Sequence, residues 1–235
     1  MIDSRSSALH RLVGMLRSPR ATLKVAIAAP RSVSLAMMIL GISAVSTVGF
    51  LLTDVGRLAA LDQQVRQLES FGVRVTDDTY ADLREWAPYR PALSGAIILI
   101  GWPLLWASAA AMAKAIGERI FRRGVEYSQV LAVVVHASAV LALRSVVAAP
   151  VNYARESLGG ATSLTAVLPS FSESAFPARL LGAVDIFVLW WMALVAIGLG
   201  MLYGARALPI ARWLLGVYAG GAALLAVTQG VRGGI

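Results

Sequence analysis

Apolar residues along this chain gather into long unbroken runs, and the polar ones fall between them. A helix rises about 1.5 Å per residue and a bilayer's hydrocarbon core is about 30 Å thick, so about 20 apolar residues make one crossing. Stretches 32–53, 92–116, 128–150, 180–203 and 208–228 all meet that length. The last two are separated only by residues 204–207, which predicts an antiparallel hairpin. The pattern therefore predicts an all-α, polytopic membrane protein: a bundle of five transmembrane helices. Its membrane domain covers 32–235, preceded by an amphipathic lead over 1–31.

The polar intervals have patterns of their own. Within 10–30, Leu12, Met15, Leu16, Leu23 and Ile27 recur at helical spacing among four cations and His10, and Pro19 divides the segment into two short helices. Such an element lies in the interface of the inner leaflet, apolar face down. In the loop 54–91, Leu58, Leu61, Val65 and Leu68 predict one helix face. A second short helix, capped by Asp77 or Asp78, carries Tyr80, Leu83 and Trp86 and stops at Pro88. The loop 151–177 is rich in Ser, Thr, Gly and Pro and enters the membrane only where protein covers its backbone. Trp102-Pro103 predicts a kinked or loosened second span, since proline removes a helix hydrogen bond.

Composition agrees with this partition. Hydrophobic residues are 58% of the 235 and charged residues 14%, with a mean hydropathy of +0.71. Soluble domains carry about 25% charged residues, so little of this chain is built to face water. The net charge of +8 is spread over the ends of the apolar runs, which points to anionic headgroups and not to nucleic acid. With the amino terminus inside, the inner segments hold twelve Lys and Arg against three acids, and the outer ones eight against nine. The positive-inside rule then places the chain in the inner (cytoplasmic) membrane of a cell, amino terminus cytoplasmic and carboxyl terminus outside. The first apolar run follows a long basic lead and is long enough to span, so it is read as a span and not a cleavable leader.

Three charged or histidine side chains fall five or more residues inside the ends of predicted spans: His136, Arg144 and Asp185. Charge at bilayer depth is costly, so each needs a partner or a task. Arg144 lies six residues before Pro150, and Asp185 six residues after Arg179, so both sit about 9 Å below the outer surface. An Arg144–Asp185 ion pair between antiparallel helices follows, either fixing register or lining a pathway. His136 is expected to be neutral and hydrogen-bonded to a neighbouring helix. Gly200 and Gly204, like Gly216 and Gly220, have the GxxxG spacing of close helix packing. Trp190 and Trp191 lie too deep for an interfacial belt and are expected to pack.

Enzyme chemistry finds no footing. With no cysteine there is no disulfide, thiolate ligand or cysteine nucleophile. Phosphate loop, zinc-protease and nucleophile-elbow motifs are missing, and the two histidines are far apart. No catalytic residue, metal or cofactor is expected.

Three stretches resemble one family. They are RLVGMLRSPRATLKVAIAAP (11–30), YSQVLAVVVHASAVLALRSVVAAP (127–150) and LGAVDIFVLWWMALVAIGLGMLY (181–203). The last matches an Asp-x-Phe-x-x-Trp pattern at Asp185, Phe187 and Trp190. On these the chain resembles the Yip-one domain (Ypt-interacting protein) family in its bacterial branch. The resemblance implies a five-helix bundle with a cytosolic amino terminus. Eukaryotic relatives bind prenylated small GTPases and shape membranes in vesicle traffic. This chain lacks their Asp-Leu-Tyr-Gly-Pro segment and acidic amino-terminal region, so GTPase binding is not carried over. The functional expectation is a non-enzymatic inner-membrane scaffold or accessory subunit, organising lipids or a membrane-protein partner. The alternative is a permease or a lipid or small-solute transport protein using Arg144, Asp185 and His136.

Overall fold

The computed structural model describes residues 7–164, 181–182 and 184–232. Glu173, Arg179 and the expected start of the fourth span at residue 180 lie outside the described residues. Among those described the chain is helical, and five helices are long and apolar enough to cross a membrane. In order the helices are α1 (Ala8–Arg17), α2 (Pro19–Ala28), α3 (Val33–Leu51), α4 (Asp54–Ser70) and α5 (Asp77–Glu85). They continue as α6 (Arg90–Ala96), α7 (Trp102–Phe121), α8 (Tyr127–Ala137), α9 (Ala139–Ala154), α10 (Ile186–Tyr203) and α11 (Ala207–Arg232).

The chain divides into two compact units. The first contains Met1–Ser43, Ile97–Leu143 and Phe187–Leu215. Its core is α8, where Ala132, Val133, Val134, Val135, His136 and Ala137 are buried in succession. A helix buried on every face needs neighbours on every face. Two of those neighbours are α2 and α7. The lead divides at Ser18 as Pro19 predicts, because proline at the first helical position needs no hydrogen-bond acceptor. Ser7 caps α1 by accepting from the His10 amide at 3.2 Å. The buried face of the pair, Met15, Leu23 and Ala26, packs on protein, and Gln129 Nε2 donates to the Ile27 carbonyl at 3.3 Å. The lead's buried apolar face is thus taken up by helix contacts, while Arg17, Arg20 and Lys24 remain exposed.

Two glycines of this unit lie against side chains of a neighbouring helix, and neither was among those picked out by spacing. A Cβ at Gly198 would overlap Val133 of α8, and one at Gly117 would overlap the Tyr203 ring. The predicted GxxxG faces do something different. Gly204 adopts φ +67° and ends α10, with the Ala205 amide donating to the Gly200 carbonyl at 2.8 Å. That is a Schellman cap, which glycine favours because it has no Cβ. A Cβ at Gly200 would meet the Ala205 carbonyl at 2.9 Å, so this residue serves the turn and not a helix face. Gly216 and Gly220 have nothing within 4 Å of a built Cβ. Their expected packing role is therefore not seen among the described residues.

The second unit contains Ala44–Ala96, Arg144–Ile186 and Gly216–Ile235. Phe50, Leu51, Ala59 and Ala60 form its core, with Val55, Ala149 and Leu158 against them. The turn into α4 is fixed by Thr53, whose hydroxyl donates to the Phe50 carbonyl at 2.7 Å and accepts from the Gly56 amide at 3.0 Å. The buried face of α4 is Gly56, Ala59, Ala60 and Leu61, whereas Leu58 is exposed. Small residues win the inward face because the contact is close. The cap of α5 is Thr76, with Asp77 and Asp78 in the first turn, where acids favour the helix dipole. Pro88 does not stop the chain: a 3₁₀ turn, Ala87–Tyr89, carries it into α6. Arg90 secures that turn by donating to the Ala60 carbonyl at 2.8 Å.

Span boundaries shift in two other places. The second crossing belongs to a helical run, Asp77–Phe121, that opens into a wide π turn at Ile97–Gly101. Pro103 follows at once, lacking the N–H for a normal bond to the preceding turn, which accounts for the predicted loosening. The third run breaks at Ser138 and continues through Pro150 to Ala154. One proline removes one bond, and the helix stays formed to Ala154, with the Arg155 amide donating to the Val151 carbonyl at 3.0 Å just past its end.

Gly198→Ala should lower the melting temperature of the purified protein, corresponding to about 1–3 kcal/mol of overpacking. Gly216→Ala should leave it unchanged or raise it, since alanine is the better helix former by about 1 kcal/mol.

Candidate functional site

Asp185 is not inside the fourth helix, as its position in the apolar run suggested, but immediately before it. The backbone explains this. Leu164 donates to the Val184 carbonyl at 2.9 Å and Ile186 to the Thr162 carbonyl at 3.1 Å, forming a short antiparallel bridge between Ser163 and Asp185. The amide of Asp185 meets the Tyr218 hydroxyl of α11 at 3.2 Å. Aspartate favours such a position because its side chain competes with helical hydrogen bonding and because a carboxylate at a helix start meets the positive end of the dipole.

The predicted ion pair is present. Arg144 Nε lies 2.5 Å from Asp185 Oδ2, and the Thr162 hydroxyl donates to the same oxygen at 2.5 Å. Arg144 Nε also reaches Thr162 Oγ1 at 3.2 Å. The carboxylate side chain is 14% exposed and the guanidinium side chain 42%. Asp185 is thus held on several sides, while Arg144 is held at one nitrogen and open elsewhere.

What it opens onto is a recess of ≈ 340 Å³ in the second unit. One wall is a single face of α9: Arg144, Ser145, Ala148, Ala149 and Asn152. Ser46, Thr47, Phe50 and Leu51 of α3 form another wall, and the segment 158–163 closes it with Gly159 and Gly160. Gly160 has φ +70°, a left-handed conformation costly for any residue with a Cβ. Two buried amide oxygens in this unit have no hydrogen-bond partner among the described residues: Asn152 Oδ1, on a residue lining the recess, and Gln63 Oε1 of α4. Gln63 Oε1 lies 4.0 Å from where a Cβ of Gly159 would stand, so it is just behind the wall.

His136 does not line this recess. It is buried in the first unit, and Nδ1 donates to the Ala132 carbonyl at 2.8 Å, four residues back on its own helix. The expected bond to a neighbouring helix is made instead by Ser138. Its hydroxyl donates to the Val134 carbonyl at 2.9 Å and accepts from Trp191 Nε1 at 3.1 Å. Trp191 therefore carries a polar link as well as packing. Trp190 stacks on Phe187, ring centroids 6.3 Å apart, and is 38% exposed.

Sequence reasoning found Arg144 and Asp185 because charge stands out in an apolar run. It missed Thr162, Tyr218, Asn152 and Ser138, since neutral polar residues give no such contrast. Comparison with models of protein families, with curated proteins and with solved structures finds no match.

Ser138→Ala should destabilise the protein by about 0.6–1.7 kcal/mol, because Trp191 Nε1 loses its acceptor. Trp191→Phe in the same background should cost little more, a non-additivity read by thermal unfolding of the two singles and the double.

Proposed function

We propose that this chain is a non-enzymatic membrane protein that binds the polar headgroup of a phospholipid in the recess beside Arg144. The half-open guanidinium carries this reading. It is anchored through Nε to Asp185 and Thr162, and the residue lines the recess with its side chain 42% exposed. An arginine fork suits phosphate oxygens. A purely structural pair would gain nothing from a polar, hydroxyl-lined recess next to it. With the amino terminus cytoplasmic, the recess belongs to the outer half of the inner membrane. Membership in the bacterial Yip-one domain family, on Asp185, Phe187 and Trp190, forms part of the same proposal and speaks only to fold.

The scaffold role is the second reading, favoured by the aromatic exposure near α5. Trp86 is 67% exposed, and its ring is tilted 57° to that of Tyr89, itself exposed. Large exposed apolar groups rimmed by charge mark contact surfaces.

Extraction into native-lipid discs separates the two. Arg144→Gln should reduce the phospholipid that stays with the protein after detergent exchange by about tenfold, the protein remaining monodisperse. Undiminished lipid would overturn the headgroup reading. A stoichiometric protein partner lost in Trp86→Ala would establish the scaffold instead.

A further inference from the structure

The first unit gathers cations where α7 ends and α10 turns into α11. The two helix ends are pinned together: the Phe121 and Tyr203 rings stack with centroids 5.2 Å apart, and the Tyr203 hydroxyl donates to the Lys114 carbonyl at 3.3 Å. Arg122 is the C-cap of α7 and Arg123 follows it, with Arg119 one turn back on the helix. Arg123 Nη1 lies 3.0 Å from where a Cβ of Gly204 would stand, so its guanidinium rests over the end of α10. Arg206 comes two residues after Gly204. All four arginines are exposed, and none has an ion pair or side-chain hydrogen bond among the described residues.

The acids nearby in sequence do not balance them. Glu118 is taken by Lys114 at 2.5 Å and by the Val125 amide at 3.2 Å, which leaves Glu126, the capping residue of α8, against four positive charges. A cation at a helix C-terminus offsets the dipole, but two helix ends do not call for four. Apolar side chains share this surface. Ile120 next to Arg119, Met201 one turn before Gly204 and Leu208 two residues past Arg206 are all exposed. Cations bordering exposed apolar residues at the ends of spanning helices suit a ligand that is anionic at one end and apolar at the other. A soluble anion or an acidic protein would leave those apolar residues unmatched.

We infer that this corner binds the phosphate of an anionic phospholipid, whose acyl chains run along Ile120, Met201 and Leu208. Guanidinium groups match phosphate oxygens with parallel N–H donors, and the contact is charge-assisted. A net-negative headgroup is drawn by the summed positive field, whereas a zwitterion is not. The corner shares no residue with the recess beside Arg144, so this goes beyond the headgroup reading and neither requires the other.

The test uses the full chain, delipidated in detergent, with native mass spectrometry reading bound lipid. Phosphatidylglycerol and phosphatidylcholine of the same acyl chains are titrated into the parent and into Arg123→Gln/Arg206→Gln. A second pair, Arg66→Gln/Arg74→Gln, removes the same charge from exposed arginines of the second unit. The parent should prefer phosphatidylglycerol. Arg123→Gln/Arg206→Gln should weaken that lipid by about fivefold per arginine removed and leave phosphatidylcholine unchanged. Arg66→Gln/Arg74→Gln and Arg144→Gln should keep the preference. The arginines of both pairs are exposed and make no hydrogen bond among the described residues, so melting temperatures should match the parent's. Equal affinity of the parent for the two lipids would overturn the inference. So would an equal loss in both double variants, which would trace the preference to net charge alone. Loss of the preference in Arg144→Gln but not in Arg123→Gln/Arg206→Gln would place the selectivity in the recess and overturn the corner. Displacement of phosphatidylglycerol by inorganic phosphate at equal concentration would assign the arginines to a soluble anion and overturn the lipid.

Discussion

The contact between Arg144 and Asp185 is the constraint around which the second unit is arranged. Neither side chain tolerates isolation in an apolar surrounding, since removing one partner leaves an uncompensated charge. Satisfying both requires α9 to bring Arg144 to the point where the chain enters α10. It also requires Asp185 to pair with Ser163 in a backbone bridge, so that the Thr162 hydroxyl reaches the carboxylate while the Ile186 amide donates to the Thr162 carbonyl. The helix start, the backbone bridge and the ion pair are therefore one device. Asp185 gains from the helix dipole of α10 at the same time. Because the carboxylate is covered and the guanidinium is not, the device leaves a directed cation on a recess wall.

The first unit is held by a different means. Where hydrophobic association between helices is weak, close approach and scattered polar links take over. Gly198 against Val133, Gly117 against Tyr203, and Trp191 on Ser138 are of that kind. The outward faces of the spans bear Ile100, Leu104, Leu105, Val217 and Leu224, all well exposed. A water-soluble fold would cover such residues; a lipid solvent has no need to. Small residues inside and large apolar ones outside is the distribution expected of helices that meet hydrocarbon.

Much of this was legible in the sequence because it depends on long averages. Five apolar runs of sufficient length give five helices, and Pro19 and Pro103 mark a break and a loosening close to where they occur. The paired charges were legible because two opposite charges at similar depth have few other solutions. Errors came where a single contact decides. Pro150 does not end α9, because one missing bond is a small loss in a helix otherwise paired. Leu58 faces outward although its spacing put it with Leu61, because alanines fit the close contact with α3 better. Gly216 and Gly220 have the spacing of a packing face with nothing within 4 Å among the described residues, whereas Gly198 has the neighbour without a second glycine in register. Thr162, Tyr218 and Asn152 were invisible because their importance comes from positions brought together by the fold.

The most direct measurement is a thermodynamic cycle on the ion pair: Arg144→Gln, Asp185→Asn and the double variant, unfolded in the same lipid-detergent mixture. If the contact organises the second unit, the two substitutions couple by about 1–3 kcal/mol, and the double variant is less destabilised than the sum of the singles. Strict additivity, or two silent single variants, would mean that Arg144 and Asp185 are neighbours without being partners.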